Sequence, residues 1–251
     1  MFDLTGKVAL VTGGNRGIGR GIVEALAAHG AQVVFCSENS EEVERAQAEL
    51  GGGFLGVHCD VGDDAALKGF VAATVARFGG LDIVVGNAGI TGRTRTFAAL
   101  EMDDFDRVMA INLRHMVVLA TAARPHLLAR GGGSIMLMAS ISAVRGNGQI
   151  SSYALAKAGL AQLARNLAVE WGPLNIRTNA IAPGLIRTEL SAAMESNAEF
   201  MARRMGMTPL RRMGMVEEIA GTTVWLASPA GAFVNGQTIV VDGGTVITDG
   251  S

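Results

Sequence analysis

The sequence predicts an α/β fold, a doubly wound parallel β-sheet of about seven strands with helices on both faces. Three observations predict it. Short apolar, β-branched runs alternate with stretches of helical periodicity along the whole chain. Glycine, 34 residues of 251, punctuates most changes of element. No linker or shift of composition divides the chain, so residues 1–251 read as one domain.

Residues 8–11 are an apolar strand that ends in the glycine-rich turn 12–19. Apolar positions recur at helical spacing over 18–28, with Gly30 as the stop. A second buried strand covers 32–36, and a polar helix over 40–50, N-capped by Ser40, breaks at 51–53. The third strand spans 54–59, a helix 63–78, and the fourth strand 81–86. One long helix is expected over 103–129, ended by the glycines at 131–133. A fifth strand at 134–139, a helix at 151–171 and a sixth strand at 176–182 keep the rhythm. Helices around 191–205 and 216–226 precede a final strand at 238–241. Right-handed βαβ crossovers then build a parallel sheet covered on both faces, which binds ligands beyond the carboxyl ends of its strands. The one region outside the rhythm, 185–214, is rich in Met and Arg and is expected to form a substrate-binding lid.

Composition excludes several functions. A formal net charge of −2 argues against nucleic acid as a partner. The densest basic stretch, Arg203–Arg204 then Arg211–Arg212, reads as a solvated lid or interface segment, with anion binding the weaker alternative. Only Cys36 and Cys59 are present, each at the end of a predicted buried strand, so no disulfide framework is expected. The apolar run at 7–12 is too short for a signal peptide, and no stretch approaches the roughly 20 apolar residues of a membrane span. A cytoplasmic protein is the expectation. His29, His58, His115 and His126 show no ligand spacing, and no metal is expected.

Gly13-Gly14-Asn15-Arg16-Gly17-Ile18-Gly19 follows a strand and opens a helix, the context a dinucleotide-binding turn requires. Glycines there let the backbone approach a pyrophosphate, and the helix N-terminus points free N–H groups at it. Together with Asn87-Ala88-Gly89, Ser140, Tyr153-x-x-x-Lys157, Pro183-Gly184, Thr188 and the tail Gly236…Asp242-Gly243-Gly244, this turn resembles the short-chain dehydrogenase/reductase family, over about residues 6–244. The resemblance implies a Rossmann-like sheet and a nicotinamide cofactor. It places Asp60, beside Val61, against the adenine and Asn87, Ala88 and Gly89 along the cofactor channel. Pro183, Gly184, Ile186 and Thr188 would hold the nicotinamide end. Gly86 departs from the pattern, since the family more often has Asn there, which leaves the end of the fourth strand in question. After the second strand, Ser37 and Glu38 favour NAD, because a carboxylate bonds the ribose hydroxyls and repels a 2′-phosphate. Arg16 keeps NADP open.

Tyr153 and Lys157 are four apart at the start of a helix, so they share one face. A neighbouring ammonium favours tyrosinate, which makes Tyr153 a usable acid–base. Ser140 lies just past the fifth strand, on the same carboxyl edge, where its hydroxyl can donate to a substrate oxygen. Ser142 is its local competitor. Asn112 sits mid-helix in an apolar stretch; the resemblance makes it the holder of a water that links Lys157 to solvent, and the plain alternative is a core amide bonded to nearby backbone. In the same family Tyr153 and Lys157 also touch the cofactor. The substrate pocket is expected from Ser140, Ser142, Arg145, Gln149, Tyr153 and Leu185. Its methionines favour a cyclic or bulky apolar secondary alcohol or ketone as substrate. An NADPH-dependent reductase of 3-oxoacyl groups on an acyl carrier protein is the alternative, with Arg124–Arg130 as a basic docking patch, and a non-catalytic cofactor-binding regulator is the remote one. By family habit the chain is expected to be a homotetramer. The candidate interfaces are the long helix and the small residues Ala154, Ala158 and Ala161.

Overall fold

The computed structural model describes residues 1–51 and 53–248. Its strands are β1 (Val8–Thr12), β2 (Gln32–Ser37), β3 (Phe54–His58), β4 (Ile83–Gly86), β5 (Gly133–Met138), β6 (Ile176–Pro183) and β7 (Thr238–Val241). They form one parallel sheet in the order β3-β2-β1-β4-β5-β6-β7. The order reverses between β1 and β4, and such a sheet opens a crevice there, at the strands' carboxyl ends.

Both faces of the sheet are buried, which is why its strands read as unbroken apolar runs. Leu10, Val34, Val84, Ile135 and Leu137 feed a core under α3 (Asp64–Phe78), α5 (His115–Ala129) and α6 (Ser151–Trp171). Ala9, Val11, Val33, Phe35 and Val85 feed the opposite core, under α1 (Gly17–Ala28), α2 (Ser40–Leu50) and α9 (Val216–Ala227). Cys36 and Cys59 are free and buried in the first core.

The structure corrects three of the sequence expectations. Asn39, not Ser40, caps α2: its side chain accepts from the amides of Glu41 and Glu42, and Ser40 is already helical. The long helix is α4 (Met102–Met109), a π-helical turn (Ala110–Arg114) and α5, because one extra residue shifts the phase of the apolar positions without interrupting the apolar run. The helix expected over 191–205 is α7 (Ala192–Glu195) and α8 (Ala198–Gly206), divided by Asn197, whose side chain caps α8 at Phe200. Of the break at 51–53, Gly51 turns the chain with φ +85°, and Gly52 lies outside the described residues. Residues 185–214 leave and return at one point, where the Gly214 amide donates to Leu185 and its carbonyl accepts from Arg187, both at 2.9 Å. Among the described residues, no helix is long and apolar enough to cross a membrane, and no cluster of His, Cys, Asp and Glu could hold a metal.

Candidate active site

The site begins where β1 turns into α1. A Cβ on Gly19 would stand 2.0 Å from the Gly13 carbonyl oxygen, so the turn closes this tightly only with glycine. No side chain caps α1, which leaves its first N–H groups free for an anion. Buried Thr12 ties this turn to the end of β4. Its hydroxyl accepts from the amides of Asn87 and Ala88, each at 3.0 Å, while Asn87 Nδ2 donates to the carbonyls of Thr12 (3.0 Å) and Gly13 (3.1 Å). Site reasoning from the sequence passed over Thr12; the signal was a lone hydroxyl at the end of an apolar strand.

Around this turn lie the other cofactor candidates. Asn15 Nδ2 donates to Glu42, and Arg16 stands 3.7 Å from the same carboxylate. Glu38 is exposed at the end of β2, and Ser37 is half-buried beside it. The Cys59 amide donates to Ser37 O at 2.9 Å, which brings Asp60 and Val61 alongside. Pro183 ends β6, and the Gly184 amide donates to Val241. Ile186 is buried at the base of the insertion, and the Thr188 methyl would lie 3.7 Å from a Cβ on Gly17, so the insertion starts directly over the glycine turn. These residues fit a dinucleotide laid across the crevice.

The chemical groups meet at the ends of β4 and β5. Lys157 is buried on α6, donates from Nζ to Met138 O at 2.7 Å, and lies 5.5 Å from the centre of the Tyr153 ring. Burial pulls its ammonium from 10.5 to about 8. Ser140 follows β5 after Ala139; its oxygen accepts from the Ser142 amide (3.1 Å) and donates to Ser142 Oγ (3.3 Å). Burial pushes the Tyr153 phenol above its ordinary value, and Ser140 pulls it part of the way back. Burial is thus the larger effect on Tyr153 here, where charge pairing had suggested tyrosinate.

Asn112 is fully buried in the π-turn and clamps Ile90: Oδ1 accepts from its amide (2.8 Å) and Nδ2 donates to its carbonyl (2.7 Å). A Cβ on Gly89 would stand 2.7 Å from Asn112 Oδ1 and 3.4 Å from Lys157 Nζ. Asn112 therefore holds the 87–90 segment against the lysine, with both polar ends of its side chain occupied. Gly86 sits within β4 and pairs with Leu137, so the strand end is intact. The space of a larger residue is filled by Met116, whose Sδ would lie 2.1 Å from a Cβ there.

Residues 143–150 span the gap between Ser140 and Tyr153 and are anchored where Ile150 bridges Arg95. Arg145 is half-buried and Gln149 exposed. Leu185 lines a cavity of about 100 Å³ under the insertion, with Ile186, Leu210, Arg212 and Asp242.

Comparisons with known proteins agree with this geometry. Residues 13–246 match a family model described as enoyl-(acyl carrier protein) reductase. A 2-dehydro-3-deoxy-D-gluconate 5-dehydrogenase of Pseudoalteromonas atlantica is 38% identical, over 97% of each chain. A tropinone reductase homolog of Arabidopsis thaliana is 38% identical, over 98% of this chain and 94% of its own. The structure of a gluconate 5-dehydrogenase from Burkholderia cenocepacia, in complex with NADP and tartrate, superposes with a TM-score of 0.92 at 35% identity and 98% coverage of both chains. With the glycine turn, the seven-stranded order and such full-length likeness in hand, the chain belongs to the short-chain dehydrogenase/reductase family of NAD(P)-dependent oxidoreductases that act on CH–OH groups.

Proposed function

We propose that the chain interconverts a secondary alcohol and a ketone, with Tyr153 as acid–base, and prefers NAD to NADP. The observation that carries this reading is the Lys157–Met138 bond, which fixes Lys157, Tyr153 and the Ser140 strand end in one corner beside Gly89. A nicotinamide dinucleotide, when bound in the crevice, would supply or accept the hydride. Tyr153 holds the proton that the substrate oxygen gains or loses, and Ser140 donates to that oxygen and orients it. Lys157 brings a positive charge to 5.5 Å from the ring centre, and Ser140 pulls against the burial that raises the phenol. Asn112 positions the 87–90 segment; a part in a proton relay would fall to its main chain. The 185–214 insertion is the lid, and the methionines it carries suit the apolar body of a cyclic or bulky substrate.

Glu38 carries the NAD preference, since its free carboxylate suits ribose hydroxyls, and Glu42 offsets the Arg16 charge a 2′-phosphate would need. A homotetramer is the expected assembly, through exposed Val117 on α5 and Leu155 and Val169 on α6; Ala161 is buried within the protomer. The Arg124–Arg130 stretch is a weak docking patch for an acyl carrier protein, because Arg130 is bonded to Asp82 and Arg124 stacks on Trp171, at the end of α5 that leads back to the amino edge of β5. Tyr153→Phe tests the reading. We expect kcat on a panel of secondary alcohols and ketones to fall by about 10²–10⁴-fold with cofactor binding retained; an unchanged rate would remove Tyr153 from its role.

A further inference from the structure

Of the five arginines of the lid, Arg203 is exposed and three others are bonded. Arg187 pairs with Glu195 at 2.8 Å, Arg212 forks onto Glu218 at 2.6 and 2.8 Å, and Arg211 donates to the carbonyls of Met205 and Gly206. Arg204 differs. Its Nε is buried without a hydrogen-bond partner, although an orphaned charged donor is costly. Its backbone is anchored: the Arg204 carbonyl accepts from Thr208 Oγ1 (2.9 Å), which is bonded to Thr245 Oγ1 (3.0 Å), while Leu210 donates to Gly243. The end of α8 is thereby held over the turn after β7, at the carboxyl edge that carries the site.

The nearest charges compound the cost. Burial lowers the Arg204 guanidinium most, followed by the like charges of Arg145 and Arg203, with Asp242 acting weakly in the other direction. Asp242 is already spent on the amides of Gly244 (2.9 Å) and Val246 (2.8 Å). Arg145 is half-buried on the 143–150 segment between Ser140 and Tyr153, and neither arginine has a carboxylate partner among the described residues. A cation placed only to complement the end of α8 would sit in water. A lid guanidinium with an orphaned donor, and a second guanidinium on the segment between Ser140 and Tyr153, are instead relieved by an anion, and their planar forks match a carboxylate.

We propose that Arg204 and Arg145 form a clamp for a carboxylate on the substrate, held across the cleft from Ser140 and Tyr153. The substrate class is then a hydroxy acid or oxo acid, a statement that rests on the secondary-alcohol reading above. Asp242 in the same corner makes a singly charged carboxylate a better match than a doubly charged phosphate.

Matched ligands test the clamp. The cofactor-loaded protein is melted, at constant ionic strength, with gluconate or glucitol, with 4-oxocyclohexanecarboxylate or its methyl ester, and with inorganic phosphate. In at least one pair the acid is expected to raise Tm at concentrations where its neutral partner does not. R145Q/R204Q removes that difference and R204K restores part of it, with each variant's ligand-free Tm as the check on folding. In turnover, the acid-to-neutral ratio of KM values is expected to shift by about ten- to a hundredfold between the wild type and R204Q. Equal stabilisation by acid and neutral compounds in both pairs overturns the clamp, as does a preference that survives in the double variant. Stronger stabilisation by phosphate than by either acid overturns its assignment to carboxylate. Stabilisation is read without catalysis, so an absence of turnover on all four organic compounds would count against the dehydrogenase reading and not against the clamp.

Discussion

In the proposed preference for NAD, Glu38 would face the ribose end, while Glu42 stands 3.7 Å from Arg16. Replacing both, as E38N/E42Q, leaves Arg16 without its counter-charge and removes the repulsion of a 2′-phosphate. The ratio of kcat/KM for NAD over NADP is expected to fall by about tenfold or more; an unchanged ratio would show that these carboxylates only solvate α2. At this scale the sequence was legible where spacing alone fixes geometry. Tyr153 and Lys157 share a face because four residues make about one helical turn, and Ser140 is placed by the end of its strand. The tie made by Thr12 was not legible, and Arg204 was noted only within a basic stretch for which anion binding was the weaker reading. The value of each depends on a partner, or on the lack of one, far along the chain: Asn87 is 75 positions from Thr12, and Arg145 is on the 143–150 segment whereas Arg204 is on α8.

Among the elements, β4 and α5 show how a departure from family habit is absorbed. Gly86 lacks a side chain, and Met116 from α5 takes up the room. Gly86→Asn therefore drives an amide into the Met116 thioether, and overpacking of this kind costs about 1–3 kcal/mol. Urea unfolding should show the loss, and Met116→Ala in the same chain should recover much of it. Additive losses in that double-mutant cycle would disprove the pairing. The alternation of strands and helices was readable because each has its own hydrophobic period. The π-turn and the break at Asn197 were not, since one is a change of phase without a change of polarity and the other rests on a single cap.

For the whole molecule, acid stability is set in part by His115, which is buried one turn after Asn112 with Nδ1 on the Ile111 carbonyl. Burial first, and Lys157 to a smaller degree, bring it from 6.5 down to about 4, against the pull of Ile111. The folded state thus prefers neutral His115 while the unfolded chain takes up a proton below about 6.5. The stabilisation is complete above that pH and is lost on descending toward 4, by up to roughly 3 kcal/mol. Glu218, lowered to about 2 by Arg212, contributes above 4.5 and loses its share only below it, so the interval from 6.5 to 4.5 isolates the histidine. Melting across that interval should cost the wild type more than His115→Gln; equal losses would assign the effect to other groups.

The extra residue in the turn Ala110–Arg114 has an angular meaning. Each residue advances a helix by about 100°, so an insertion that adds no full turn rotates everything after it by that amount relative to everything before. Val108 on one side and Met116, Leu119, Ala123 and Leu127 on the other all point into the core, and Asn112 between them points at Ile90. With one residue removed, those three headings no longer agree, and either the α5 row turns toward water or the amide swings away from the 87–90 segment. The orientation of the packing helix and the aim of the Asn112 clamp are therefore one setting, and neither can drift without carrying the other with it.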